Sequence, residues 1–143
     1  MLYQAKNGVA AGAEYIRFGT DSRNLIMLPG LGDGLRTMKG MALPMALYYH
    51  RLAKEYTVYM FSRKSNLPEG HGTRDMARDL AEAMEELGIG TAYVVGVSMG
   101  GMIAQHLAAD YPEKVRKLVL VVTAARGYRD RYSKASYRGG CST

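Results

Sequence analysis

The sequence lacks the features that mark several specialised classes of protein. Cys141 is the one cysteine among 143 residues, which excludes an internal disulfide framework. The longest apolar stretch, residues 92–109, is interrupted by glycine, serine, glutamine and histidine, so it does not predict a transmembrane helix. Residues 1–12 lack the apolar core of a signal peptide, and the chain has no repeat or low-complexity tract. We therefore expect a globular, cytoplasmic protein without a membrane partner.

Metal and nucleotide sites also lack their usual residue patterns. Four side chains could bind a transition metal: His50, His71, His106 and Cys141. Their spacing matches no metal-binding motif, and no His-Glu-x-x-His pattern occurs. The absence of any Gly-Lys pair excludes a Walker-type phosphate loop, and Leu35 stands where a dinucleotide loop starting at Gly30 needs its third glycine. The sequence therefore predicts neither a metal nor a cofactor.

The charge of the chain is concentrated near its end. The composition, 48% hydrophobic and 22% charged, is that of a globular domain, but the net charge is +6. Residues 126–143 hold five basic residues and one acidic residue, so the rest of the chain is nearly neutral. Alternating arginine and tyrosine in this tail could contact nucleic acid, but the composition favours a solvated tail. We therefore expect a core domain at residues 1–125, a basic tail at 126–143 that is a short helix or partly disordered, and no nucleic-acid partner.

Continuous apolar runs alternate with helical segments along the core. The four runs lie at residues 25–28, 58–61, 93–97 and 118–122. Continuous rather than alternating apolar residues are typical of parallel strands buried on both faces. The gaps between the runs allow crossover helices, which we expect at residues 44–54, 73–87 and 99–111. In the second of these helices we expect Thr73 to be the N-cap and Asp79 to face solvent. Residues 2–5 and 14–18 are predicted to form an antiparallel hairpin around Asn7-Gly8 and Gly12, giving an α/β fold with about six strands in a mostly parallel sheet.

A glycine-rich motif follows the third apolar run. The run of residues Gly96-Val97-Ser98-Met99-Gly100-Gly101 stands where a strand is predicted to turn into a helix. A nucleophile elbow needs its serine on such a turn, and Gly96 and Gly100 leave room for the strand and helix backbones to close around it. The helix N-terminus would offer amide N–H groups to a developing oxyanion. The alternative is a tight turn with a buried serine.

A second glycine-rich loop follows the first of the apolar runs. Its sequence is Pro29-Gly30-Leu31-Gly32-Asp33-Gly34. Such a loop can bring a backbone amide to the elbow, so the amides of Leu31 and Met99 would form a two-donor oxyanion hole. The alternative is a flexible glycine loop without a binding role.

These motifs carry a resemblance to the α/β-hydrolase superfamily. Residues 96–122, with Pro112-Glu113-Lys114-Val115 between helix and strand, resemble its core, most closely the esterase, lactonase and aminopeptidase-like branch. The resemblance extends over residues 14–123, the N-terminal part of the family's usual domain. It implies Ser98 as the nucleophile, with oxyanion donors at Leu31 and Met99. Pro29 replaces the histidine that family members often have in the oxyanion loop.

The remaining members of a catalytic triad are not identifiable from the sequence. In the family the acid and the histidine follow later strands, which this sequence lacks. His106 lies too far along the helix after Ser98 to reach its hydroxyl, and His50 is expected to be a packing or surface residue. His71, in the loop after the second apolar run, is a weak candidate for the base. No carboxylate follows the last run until Asp130.

Two functions are consistent with this sequence. The first is a serine hydrolase acting on an ester, thioester or amide through Ser98, with weak or no activity in a chain that lacks its base. The abrupt end of the core pattern would fit a truncated or frame-disrupted gene as well as a natural short form. The second is a non-catalytic α/β fragment whose last strand, from Lys117 to Val122, pairs with another chain, which predicts a homo-oligomer.

Overall fold

The computed structural model describes residues 5–29, 42–62 and 69–124. Within these ranges the helices and strands follow one another as β1 (Lys6–Ala10), β2 (Ala13–Phe18), β3 (Asn24–Leu28), α1 (Ala42–Tyr48), α2 (His50–Glu55), β4 (Thr57–Phe61), α3 (Thr73–Glu86), β5 (Ala92–Val97), α4 (Met99–Asp110), a 3₁₀ turn (Pro112–Lys114) and β6 (Val115–Val121). The predicted α/β class and its six strands are confirmed for the described residues.

The strands form one mixed sheet in the order β1-β2-β4-β3-β5-β6. The pairs β1–β2 and β2–β4 are antiparallel, whereas β4–β3, β3–β5 and β5–β6 are parallel. The connections from β4 to β5 and from β5 to β6 run in one direction across the sheet, and the connection from β3 to β4 runs in the other. Right-handed crossovers therefore place α3 and α4 on one face and α1 and α2 on the opposite face.

Each face of the sheet has its own hydrophobic core. On the α3–α4 side, buried residues that include Ile26, Val94, Met84 and Leu107 form one cluster. On the α1–α2 side, a smaller cluster contains Phe18, Val58 and Ala46, among others. All five residues of β4 are buried, because β2 and β3 flank this strand and helices cover both of its faces. The continuous apolar pattern of β4 is thus explained by its central position.

The N-terminal hairpin lies further along the chain than the sequence predicted. Its first strand is Lys6–Ala10 rather than residues 2–5, and residues 1–4 lie outside the described ranges. The two turn residues are Ala11 and Gly12, with φ of 48° and 79°, as a type I′ turn requires. The Asn7-Gly8 pair lies inside the strand because Gly8 stands opposite Tyr15, where a Cβ would come within 2.4 Å of the tyrosine ring.

Three further predictions differ from the structure. The helix expected at residues 44–54 is two helices separated at Tyr49, whose ring stacks on Phe18 at 6.5 Å. The N-cap of α3 is Gly72 rather than Thr73, and the backbone N–H of Gly72 donates to Asp75 Oδ2 at 2.9 Å. The last strand begins at Val115 and is largely exposed, because β5 alone of the described strands pairs with it.

Ion pairs connect α3 to the elements that follow it. Arg74 donates two hydrogen bonds of 2.8 Å to the carboxylate of Asp110, which joins α3 to the end of α4. These hydrogen bonds hold the pKa of Asp110 below its ordinary value. Lys114 is buried, and its Nζ forms an ion pair with the carboxylate of the exposed Glu85. This ion pair joins the 3₁₀ turn to α3. No helix in the described residues has the length and apolar character needed to cross a membrane.

A pair of substitutions on α3 tests which face of this helix stabilises the fold. Met84 is fully buried and Glu82 is exposed. We expect Met84→Ala to lower the free energy of unfolding by about 2–5 kcal/mol, because it leaves a cavity in the core. Glu82→Ala should change it by less than about 0.5 kcal/mol. Urea unfolding followed by circular dichroism measures both values, and equal effects would contradict this assignment of faces.

Candidate functional site

Ser98 occupies the turn between β5 and α4 in a rare backbone conformation. Its φ of 54° and ψ of −119° lie in a region that residues other than glycine seldom adopt. Its N–H donates to Val121 O at 3.0 Å, and its carbonyl accepts from Gly101 N at 3.0 Å and Thr123 Oγ1 at 2.6 Å. The residue is exposed at the carboxyl edge of the sheet. The turn is therefore held by hydrogen bonds from both β6 and α4.

Three glycines allow the backbones around Ser98 to approach one another. A Cβ on Gly96 would lie 2.6 Å from the Cα of Gly101, and one on Gly100 would lie 2.1 Å from the carbonyl oxygen of Leu28. A Cβ on Gly101 would lie 2.5 Å from the hydroxyl of Thr123. All three distances are shorter than van der Waals contact. Each of the three glycines of the motif therefore stands at a separate close contact that leaves no room for a side chain.

The N-terminus of α4 lies directly after the serine. Met99 is the first residue of this helix, so its N–H is among the first four that have no carbonyl partner within the helix. Unpaired amides and the helix dipole together favour an anion at this position. Leu31, the other predicted oxyanion donor, belongs to residues 30–41 and lies outside the described residues.

His71 forms a hydrogen-bonded pair with Asp79. Its Nε2 lies 2.7 Å from Asp79 Oδ2, and the two side chains are only 14% and 16% exposed. The expectation that Asp79 faces solvent on α3 was therefore wrong, because the loop preceding the helix folds back over this carboxylate. The neighbouring Asp75 has a pKa below its ordinary value, owing first to the hydrogen bond from Gly72 N–H and then to the charges of His71 and Arg78.

The structure does not bring a histidine into hydrogen-bond contact with Ser98. Within the part of the chain that is described, no side chain bonds to the hydroxyl of this serine. His71 follows β4, which is separated from β5 by β3, so two strand spacings of about 4.8 Å each lie between the two strand ends. His50 contacts the carbonyl oxygen of Leu47, and His106 lies half-buried on α4.

Two contacts near the site were not singled out from the sequence. Thr123, whose hydroxyl donates to the carbonyl of Ser98, is the first polar residue after the last apolar run. Because the carboxyl ends of parallel strands meet at one edge of a sheet, its position directly after that run could have indicated a polar contact near the serine turn. The pairing of His71 with Asp79 had no comparable signal, since nothing in the spacing of a loop and a helix specifies how the loop folds.

A cavity of about 350 Å³ opens beside the serine turn, on the α1 side of the sheet. It lies at the carboxyl ends of β3, β4 and β5, and Val97, the residue before Ser98, forms part of its wall. Its lining combines three methionines, two tyrosines and other apolar residues. Among the described residues, no group of three or more histidine, cysteine or acidic side chains could hold a metal ion.

Comparison with known proteins identifies the family to which this fold belongs. A model of the alpha/beta hydrolase fold matches residues 24–136, which is most of the sequence. The chain belongs to the α/β-hydrolase fold family. The resemblance seen in the sequence is thereby confirmed.

The relatives include transferases as well as hydrolases. A 53-residue segment is 47% identical to homoserine O-acetyltransferase of Thermus thermophilus and covers 37% of this chain and 14% of that enzyme. A 90-residue segment is 39% identical to a pimeloyl-[acyl-carrier protein] methyl ester esterase of Chromobacterium violaceum, covering 57% and 34%. The enol-lactonase from Burkholderia xenovorans LB400 superposes with a TM-score of 0.65 at 22% identity, covering 85% of this chain and 48% of the lactonase. The matched region therefore spans less than half the length of each of these three relatives.

Alanine at Gly100 tests whether the close contact with β3 holds the turn. The added Cβ would overlap the carbonyl oxygen of Leu28, a backbone atom that cannot move aside alone. We expect Gly100→Ala to lower the free energy of unfolding by about 1–3 kcal/mol or more. Gly90→Ala is the matched control, because a Cβ there meets open space. Denaturant midpoints measure both, and an unchanged midpoint for Gly100→Ala would contradict the contact.

Proposed function

We propose that Ser98 is the nucleophile of a serine hydrolase that acts on an ester, thioester or amide by acyl transfer. The observation that carries this proposal is the backbone of Ser98, a non-glycine residue at φ 54° with its side chain exposed before a helix N-terminus. A strand-to-helix turn of this kind is the geometry of a nucleophile elbow. Membership of a family with hydrolase and acyltransferase relatives is consistent with this chemistry.

In the proposed reaction the hydroxyl oxygen of Ser98 attacks the substrate carbonyl carbon and gives its proton to a base. The oxyanion of the tetrahedral intermediate accepts hydrogen bonds from the amides of Met99 and Leu31. The intermediate then expels an alcohol, thiol or amine, which takes the proton and leaves an acyl group on Ser98. Water cleaves this acyl group in the second half of the reaction.

The base is proposed to come from outside this chain. Each of its three histidines is described, and none is hydrogen-bonded to the Ser98 hydroxyl. His71, the weak candidate, bonds to Asp79 through Nε2 and follows β4, which β3 separates from β5 and the serine turn. Ser98 in the 143-residue chain would therefore depend on oxyanion stabilisation without proton transfer to a positioned base, and its acylation should be slow.

Acylation of Ser98 by p-nitrophenyl acetate tests the nucleophile. We expect slow release of p-nitrophenolate together with an acetyl group on Ser98, located by mass spectrometry of peptides. Ser98→Ala should abolish this adduct and reduce the release to the level of buffer. Ser62→Ala, at a serine bonded to the carbonyl of Glu14 at the end of β4, is the matched control and should keep both.

Two results of this experiment decide between the proposed residues. An adduct absent from wild type, or release that is equal in wild type and Ser98→Ala, would contradict a nucleophilic role for Ser98. Loss of the adduct in His71→Ala, with the fold intact by circular dichroism, would contradict a base from outside the chain and assign that role to His71.

A second candidate function is assembly through β6, and the exposure of this strand favours it. Val119, Leu120 and Val121 are 52%, 41% and 39% exposed, and among the described strands β6 pairs with β5 alone. An apolar edge strand offers unpaired backbone groups to another chain. We propose that a second copy pairs here to form a homo-oligomer, which is compatible with a reactive Ser98.

A lysine on the exposed face of β6 tests this assembly. We expect wild-type protein at micromolar concentrations to show at least twice the monomer mass by light scattering after size exclusion. Val119→Lys should reduce the mass to that of the monomer, because the charge would be buried against the second copy. Val9→Lys, at a 65% exposed position on the opposite edge strand, should leave it unchanged. A monomeric wild type would contradict the proposal.

A further inference from the structure

The carbonyl group of Ser98 accepts hydrogen bonds from two different parts of the chain. The N–H of Gly101 donates to its oxygen at 3.0 Å from within α4, and the hydroxyl of Thr123 donates to the same oxygen at 2.6 Å from the segment after β6. A carbonyl oxygen has two lone pairs, so these two donors use its full capacity. The oxygen is therefore held by the helix on one side and by the end of β6 on the other.

A carbonyl group that is held in place also fixes the N–H that follows it. A peptide unit is planar, and its carbonyl oxygen and its N–H point in opposite directions. The N–H in the same unit as the Ser98 carbonyl belongs to Met99, the first residue of α4 and the proposed oxyanion donor. The two hydrogen bonds to the Ser98 carbonyl therefore set the direction of the Met99 N–H, although neither is made to Met99.

The backbone of Ser98 does not favour this orientation by itself. Its φ of 54° lies in the left-handed region, but its ψ of −119° is far from the values of about 30–60° that residues with a side chain prefer at that φ. Rotation about ψ sets the plane of the peptide unit between Ser98 and Met99. This plane is thus held away from its preferred orientation, and hydrogen bonds to the carbonyl group act on it directly.

The residues around Thr123 provide the space and the direction that its hydrogen bond needs. A Cβ on Gly101 would lie 2.5 Å from the hydroxyl oxygen of Thr123, so the third glycine of the motif leaves room for this side chain. Val122 stands between the end of β6 and Thr123, and its φ of 48° is rare for a β-branched residue. The chain therefore leaves the extended conformation of β6 directly before the residue that reaches the serine turn.

Gln105 of α4 holds the segment that carries Thr123. Its side-chain Nε2 donates to the carbonyl oxygen of Ala124 at 3.1 Å and to that of Gly101, one helical turn earlier, at 3.2 Å. One half-buried side chain thus joins α4 to the residue that follows Thr123. This contact keeps the hydroxyl of Thr123 beside the carbonyl of Ser98.

We propose that Thr123 is a positioning residue for the oxyanion hole, which aligns the N–H of Met99 through the carbonyl group of Ser98. The proposal rests on the proposed function for its effect on the reaction, because an oxyanion forms only when Ser98 attacks a carbonyl group. The alignment of the amide depends on no reaction and is measured in the chain itself. Gln105 supports the alignment by holding the segment of Thr123 in place.

The amide signal of Met99 provides the test that needs no turnover. The ¹⁵N shift of an amide responds to hydrogen bonds at the carbonyl of the same peptide unit, because these bonds polarise the unit. In the ¹⁵N-labelled chain we expect Thr123→Val to move the Met99 signal and Thr123→Ser, which keeps the hydroxyl, to leave it near its wild-type position. Thr57→Val is the matched control, because it removes a hydroxyl that donates to the carbonyl of Asp21 at the opposite edge of the sheet.

The rate of Ser98 acylation by p-nitrophenyl acetate provides the second test. We expect Thr123→Val to lower the maximal rate at least about tenfold, because loss of an oxyanion donor costs about 100-fold to 1,000-fold and misalignment costs part of that. The half-saturating ester concentration should stay unchanged, since the oxyanion forms only in the transition state. Thr123→Ser should restore the rate, and Thr57→Val should not change it. Thr123→Ala replaces Thr123→Val if circular dichroism shows that the valine variant does not fold.

The outcomes separate this proposal from the proposed function. An unchanged Met99 signal in Thr123→Val would overturn the alignment. A lower rate that Thr123→Ser does not restore, or that Thr57→Val shares, would overturn it too, because loss of stability would then explain the effect. A Ser98 adduct that forms equally fast in wild type and Thr123→Val would overturn the positioning role while the nucleophile stands. A Met99 signal that responds as expected, without any Ser98 adduct in wild type, would overturn the nucleophile and support the alignment alone.

Discussion

The close approach of α4 to β3 is the constraint on which the serine turn depends. The carbonyl oxygen of Leu28 lies where any side chain on Gly100 would have to be, so the helix can begin only in this position. With α4 fixed there, the chain between β5 and α4 has a single residue, Ser98, in which to reverse direction. Its left-handed backbone follows from that geometry. The hydrogen bond from its N–H to Val121 extends the same constraint to β6.

The order of the strands explains why one side of the sheet has unfilled apolar surface. Both crossovers that end at β5 and β6 carry their helices to the same face, and the pair α1–α2 covers the opposite face over β2, β4 and β3. On that opposite face β5 is only partly covered, since Tyr93 and Val95 pack against the α1–α2 cluster without being fully buried. Val95 and Val97 are therefore only half-buried and border the cavity, and Val119 is exposed. The cavity and the open strand are two consequences of one topology.

Local signals in the sequence predicted the parts of the structure that local chemistry determines. Apolar runs located β3, β4 and β5 to within a residue, and the glycine spacing located the turn at Ser98. The first strand of the hairpin was predicted at residues 2–5 instead of Lys6–Ala10, because the fit of Gly8 against Tyr15 depends on contact between strands. The break at Tyr49 and the bond between His71 and Asp79 likewise depend on packing between distant segments. The cavity is a property of four elements together, so no single segment could have indicated it.

The strain at Ser98 is itself an argument for a role beyond folding. A residue held in such a backbone region costs about 1–3 kcal/mol, which glycine would avoid. Glycines stand at three neighbouring positions of the motif, yet the residue with the positive φ is a serine. A serine with an exposed hydroxyl before a helix N-terminus, at a strained position that glycine would occupy without cost, is better explained by the position its side chain must occupy than by the stability of the turn.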